Sequence, residues 1–139
     1  MSDAASIARE YTDAWNRRDW ARYRQLLHAD YSFTGSDGQE QKGPEAGLAM
    51  GQMYATAFPD GEGDIRKITA AGDTAIVEFI ARGTHKGDLM GIAPTGRQMV
   101  MPVCNVIEIR DGKIVAEREY FDMLHMMQQL GLAPAPATA

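Results

Sequence analysis

The chain has a single cysteine, Cys104, in 139 residues, so no internal disulfide can form, and no Cys-x-x-Cys or Cys/His ligand spacing occurs. Its three histidines, His28, His85 and His125, stand on separate segments without a carboxylate at ligand spacing, which argues against a bound metal. No glycine-rich phosphate loop follows a predicted strand, and that speaks against a nucleotide cofactor. Basic residues are short too: 14 Lys and Arg against 19 Asp and Glu give a net charge of −5. A phosphate backbone calls for a basic patch, so nucleic acid is not an expected partner. The charge cluster Arg17 to Arg24 is interrupted by Asp19 and two aromatics and reads as a solvated helix face. No run of about 18 apolar residues exists, and the first residues lack the basic and apolar regions of a secretion signal. The expectation is a cytoplasmic protein without membrane contact.

What is present fits one globular domain. Apolar residues make up 45% and charged residues 24%, in a chain of 15.3 kDa. Nine methionines, five tyrosines, four phenylalanines and two tryptophans form a surplus that such a small core does not require.

The hydrophobic period changes along the chain. Asp3 can cap a helix whose Ile7, Tyr11, Ala14 and Trp15 share one face, and Asp19 a short second helix through Trp20, Tyr23, Leu26 and Leu27. A strand covers Tyr31–Thr34. Gly43-Pro44 opens a third helix with Leu48, Met53, Tyr54, Ala57 and Phe58 inward, stopped by Pro59-Asp60-Gly61. From Asp64 the period becomes 2. Strands are predicted over Ile65–Ala71, Thr74–His85, Arg97–Ile109 and Ile114–Asp122, with a hairpin turn at Arg110-Asp111-Gly112-Lys113. A short helix, Met123–Leu130, precedes an Ala/Pro tail over 133–139 that reads as unstructured. Residues 1–132 then form one α+β domain, with N-terminal helices packed on a strongly curved, mostly antiparallel sheet in a cone-shaped barrel.

Alternation along the strands selects the polar groups that face the core. On Thr74–His85 the inward face is apolar until His85. On Arg97–Ile109 it holds Met99, Met101, Val103, Asn105 and Ile107. On Ile114–Asp122 the face beginning at Ile114 carries Arg118, Tyr120 and Asp122, while Glu117 and Glu119 fall opposite and are assigned to solvent. Buried polar groups are costly unless paired or wetted, so this set points to a ligand pocket rather than plain core. Other readings stand beside it. His85 can be a satisfied core histidine, Asn105 can bond an edge backbone group, Arg118 can pair with a neighbouring carboxylate, and Asp122 can cap the last helix.

Several segments resemble the SnoaL-like polyketide cyclases. Gly83-Thr84-His85-Lys86-Gly87 and Gly91-Ile92-Ala93-Pro94-Thr95 are similar to that family's G-x-H-x-G…G-x-P-P-T. Asp111-Gly112-Lys113-Ile114 and Arg118-Glu119-Tyr120-Phe121-Asp122 resemble its D-G-K-I…R-D-W-P-D, and Gln129-Leu130-Gly131 its Q-L-G. The resemblance implies a nuclear-transport-factor-2-like fold, a dimer or tetramer, and a cofactor-free intramolecular aldol cyclisation of a hydrophobic or aromatic polyketide ester. It maps the acid/base onto Asp122 and keeps His85 and Arg118. Val103 and Asn105 stand where those cyclases have a Gln and a His, Phe33 where they have an Asn, and Tyr120 where they have a Trp.

The resulting expectation is Asp122 as general base, with His85 beside it. Arg118, Tyr120, Asn105, Phe33, Val103, Met101 and Trp15 line the substrate site, and no metal or cofactor takes part. An exposed Asp titrates near about 3.9 and is a poor base for a carbon acid, so an apolar surrounding would have to raise it. Two rivals remain: a binder without chemistry, and a hydrolase, dehydratase or isomerase of the same fold. An epoxide hydrolase would need a second inward carboxylate beside Arg118. The loop Leu89–Pro94 reads either as a cover for the pocket or as a contact with a sister subunit.

Overall fold

A computed structural model describes residues 3–135. Helix α1, Ala4–Arg17, begins where Asp3 accepts a hydrogen bond from the Ser6 amide at 2.7 Å. It ends at Arg18, whose φ of 59° breaks the helix. The Arg18 guanidinium then lies 4.2 Å from the Trp15 ring centroid and donates to the Phe58, Pro59 and Gly61 carbonyls. It thereby ties α1 to the end of helix α3, Pro44–Ala57. Between them lie helix α2, Trp20–Gln25, and strands β1, Leu27–Thr34, and β2, Glu40–Lys42. Leu27 starts a strand rather than extending the second helix, because it is pinned against Ile114 in the sheet. The three polar residues of β2 carry no hydrophobic alternation, which is why the sequence reading passes over them.

Strands β3, Glu62–Ala71, β4, Thr74–Thr84, β5, Gln98–Arg110, and β6, Lys113–Tyr120, follow, and helix α4, Met123–Gln129, closes the fold. The order across the six-stranded sheet is β2-β1-β6-β5-β4-β3. All pairings are antiparallel except β1 with β6. The edge strands β2 and β3 do not pair with each other, so the sheet stays open and does not close into a barrel. Residues 133–135 carry no regular structure, and 136–139 of the expected tail lie outside the described residues. Among the described residues no helix is long and apolar enough to cross a membrane.

One core cluster joins Ile7, Tyr11, Tyr23, Tyr31 and Ile107 beneath α1 and α2. The other joins Phe58, Leu89, Met99, Met101 and Met126 beneath α4. Leu89 is thus core, while its neighbour Met90 is 54% exposed.

Strands β5 and β6 leave the turn in regular register, with Arg110 opposite Lys113 and Ile109 opposite Ile114. The register then shifts by one, so that Glu108 faces Ala116, Ile107 faces Glu117 and Asn105 faces Glu119. A bulge that adds one residue to a strand moves every later side chain to the other face. Glu117 and Glu119 therefore point inward, and Arg118 and Tyr120 outward. This reverses the face predicted for this strand.

Candidate functional site

Between the helices and the inner face of the sheet lies a cavity of about 150 Å³. Its walls are mainly aromatic and methionine side chains: Trp15 from α1, Met50 and Tyr54 from α3, Phe79 from β4, Met99 and Met101 from β5, and Met126 from α4. Its exposed lining residues, Glu62 and Arg82, mark the mouth. The polar groups deeper in belong to β5 and β6: Asn105, Glu117 and Glu119.

Glu117 is 4% exposed and has no cationic partner among the described residues; neutral donors hold it. Its Oε1 accepts from the Tyr11 and Tyr31 hydroxyls, each at 2.7 Å, and its Oε2 accepts from Asn105 Nδ2 at 2.8 Å. The Tyr11 oxygen also lies 2.6 Å from that of Tyr23. Tyr11 has one proton, and the carboxylate is the better acceptor, so Tyr23 donates to Tyr11 and Tyr11 to Glu117. Three donors on one carboxyl are the arrangement that suits an anion. Burial raises the Glu117 carboxyl above the usual range, and the tyrosine hydrogen bonds oppose that rise. The phenols of Tyr11, Tyr23 and Tyr31 are all raised, first by burial and then by the nearby Glu117 charge, so they remain protonated donors.

Helix α3 reaches this cluster because two glycines one turn apart let it sit close. A Cβ on Gly51 would lie 2.8 Å from the Tyr23 hydroxyl oxygen, and one on Gly47 would run into the Tyr31 ring.

Glu119 differs from Glu117 although only one residue separates them. It lines the cavity and is partly exposed. Its carboxyl is pushed up to about 8, mainly by desolvation and further by the negative charge of Glu117, against a lowering contribution from the Asn105 amide. At neutral pH it is mostly a neutral acid, and a modest rise in pH turns it into a base. Tyr54 contributes a hydroxyl without a hydrogen-bond partner among the described residues, and burial raises its phenol as well. The cavity thus presents an acid/base carboxyl, a phenolic donor and an amide within largely apolar walls.

Five of the residues expected in the site line this cavity: Trp15, Phe33, Met101, Val103 and Asn105. Four are placed elsewhere. Asp122 is exposed and accepts from the His125 amide at 3.0 Å as the cap of α4. Arg118 lies on the outer face, 2.6 Å from Glu108 Oε2, and Tyr120 is 53% exposed beside Cys104. His85 is fully buried but does not line the cavity. Its Nδ1 accepts from the Thr95 amide at 3.2 Å, which places the ring hydrogen on Nε2, and Nε2 has no partner among the described residues.

Sequence reasoning missed Glu117, Glu119, Tyr54 and the tyrosine cluster as site components. One signal for the correct face of β6 was present, since Val115 and Phe121 share the parity of the two glutamates. Among the described residues no group of three or more His, Cys, Asp or Glu could hold a metal ion.

Known proteins with the same architecture place the chain further. Residues 5–130 match the model of the family described as SnoaL-like polyketide cyclase. The chain is 29% identical over 135 residues to the aklanonic acid methyl ester cyclase DnrD of Streptomyces peucetius, covering 94% of this chain and 92% of the relative. It is 25% identical over 140 residues to the aklanonic acid methyl ester cyclase AcmA of Streptomyces galilaeus, covering 99% and 96%. The crystal structure of IdmH from Streptomyces antibioticus superposes with a TM-score of 0.81 at 28% identity, covering 94% of this chain and 99% of that one.

Proposed function

The chain belongs to the SnoaL-like polyketide cyclase family, and on that premise we propose that it is an acid/base enzyme whose Glu119 moves a proton on a hydrophobic, carbonyl-bearing compound held in the cavity. The observation that carries this reading is the position of Glu119, a carboxyl raised to about 8 at the wall of a cavity otherwise built of aromatic and methionine side chains. A base poised near the working pH is the kind that proton abstraction from carbon favours. The acid/base role expected of Asp122 passes to Glu119, because Asp122 spends its carboxylate on the α4 cap.

The chemistry balances with side chains alone. Ionised Glu119 takes a proton from a carbon flanked by carbonyls, and the Tyr54 hydroxyl donates to the enolate oxygen. The carbanion carbon attacks a second carbonyl of the same molecule, a C–C bond forms, and Glu119 returns its proton to the new alkoxide. Substrate and product are isomers. Arg118 lies on the outer face paired to Glu108 and does not stand between the two inward carboxyls, which disfavours the epoxide hydrolase alternative.

The test compound is aklanonic acid methyl ester, named in both relatives. Wild-type protein is expected to convert it to an isomer, and Glu119→Gln to lower turnover roughly 10²–10⁴-fold with the fold intact. Binding without conversion would make the protein a binder and overturn the reading. The proposed assembly is a homo-oligomer joined through the outer face of β4–β6, where Ile76, Val100 and Tyr120 are 36%, 45% and 53% exposed.

A further inference from the structure

Asn105 makes unequal use of its side-chain amide. Its Nδ2 donates to Glu117 Oε2 at 2.8 Å, and the same amide favours the ionised form of Glu119. The nitrogen therefore faces the two carboxyls of β6. Because the amide is planar, Oδ1 faces away from them. That oxygen is buried and has no hydrogen-bond partner among the described residues, in a residue that is 7% exposed and lines the cavity.

A flip of the amide does not remove the problem. It would set Oδ1 against Glu117 Oε2, placing two acceptors face to face, while Oε1 is already taken by Tyr11 and Tyr31. The tyrosine donors thus hold Glu117 as an anion, Glu117 fixes Asn105, and Asn105 is left with an open acceptor. A buried acceptor without a donor is costly, and the group that relieves the cost has to come from outside the chain.

We propose that the cavity selects aromatic ligands bearing a neutral hydroxyl, which donates its proton to Asn105 Oδ1. The proposal rests on the reading of this cavity as the ligand site and names what that site recognises. Val77 and Val103 flank Asn105 on the inner face and Phe79 stands opposite Val103, so the ring that carries the hydroxyl meets apolar walls. A cavity of about 150 Å³ encloses a single aromatic ring, with further rings directed toward the mouth. On a ligand with both a carbonyl and a hydroxyl, protonated Glu119 and Tyr54 would serve the first and Asn105 the second. Asn105 then acts as an acceptor for the substrate.

Calorimetric titration of the full chain at pH 7 with naphthalene, 2-methoxynaphthalene and 2-naphthol separates these outcomes, since only 2-naphthol carries a hydrogen-bond donor, 2-methoxynaphthalene keeps the oxygen without it, and naphthalene has neither. The expected result is 2-naphthol binding about tenfold tighter than the methoxy compound. In Asn105→Leu the preference for 2-naphthol over 2-methoxynaphthalene should disappear. Equal binding of all three probes to the wild type, or a preference that survives in Asn105→Leu, would overturn the proposal while leaving the cavity as a ligand site. If no probe binds, the cavity reading fails and the proposal fails with it. Should Asn105→Leu not fold, the Asn105 side-chain amide resonances of the wild type serve instead. They should move on addition of 2-naphthol and not of 2-methoxynaphthalene, and an unmoved signal contradicts the proposal.

Discussion

Two carboxyls on one face of a strand, with no cationic partner among the described residues, cannot both ionise cheaply, and their surroundings decide which one does. Three hydrogen-bond donors meet Glu117, so it carries the charge, and Glu119 keeps the proton until about pH 8. This fixes the sign of two pH effects. A rate that needs ionised Glu119 rises with pH about a midpoint near 8, and that limb vanishes in Glu119→Gln. A carboxyl raised in the folded state binds its proton more tightly there than in the unfolded chain. The contribution of Glu119 to folding stability therefore falls as pH rises from about 4.5 to about 8 and levels off above. Urea unfolding of wild type and Glu119→Gln should show a gap that moves in favour of the variant across that window. A gap independent of pH would mean that Glu119 titrates normally. Asn105, Met101 and Val103 were legible as inward residues because β5 alternates without interruption from Met99 to Ile107.

At the scale of elements, one inserted residue in β6 decides the site. A regular hairpin from Arg110–Lys113 would place Arg118 opposite Asn105, and the bulge places Glu119 there instead. Sequence alternation is a weak guide on a strand whose two faces carry similar apolar content, here Ile114 and Ala116 against the Val115 and Phe121 that mark the correct face. The tyrosine cluster was illegible for another reason. Tyr11, Tyr23 and Tyr31 read as core on their own elements, and only the fold brings their hydroxyls to Glu117. The capping role of Asp122, in contrast, was legible from its place before a helix. Asp122→Ala should cost about 1 kcal/mol of stability, the usual value of a lost helix cap, and Asp122→Asn close to nothing. Thermal unfolding of the two variants checks this. A comparable loss for both would show that the charge of Asp122, rather than its capping oxygen, matters.

At the scale of the molecule, the open sheet divides the labour between its faces. The inner face, covered by the helices, carries the cavity, while the outer face of β4–β6 exposes Ile76, Val100 and Tyr120 among charged neighbours. If copies of the chain associate through that face, light scattering will give a mass of at least twice 15.3 kDa, and Val100→Glu with Tyr120→Lys will reduce it to the monomer. A monomeric wild type would remove that surface from the assembly. The fold class and the helix-to-sheet division were legible because the hydrophobic period changes to 2 from Asp64 onward and holds through four strands. The central claim, that Glu119 rather than Asp122 transfers the proton, is tested most directly by comparing turnover of aklanonic acid methyl ester in Glu119→Gln and Asp122→Asn. The account predicts a loss of roughly 10²–10⁴-fold for Glu119→Gln and near wild-type turnover for Asp122→Asn. The reverse pattern would contradict it.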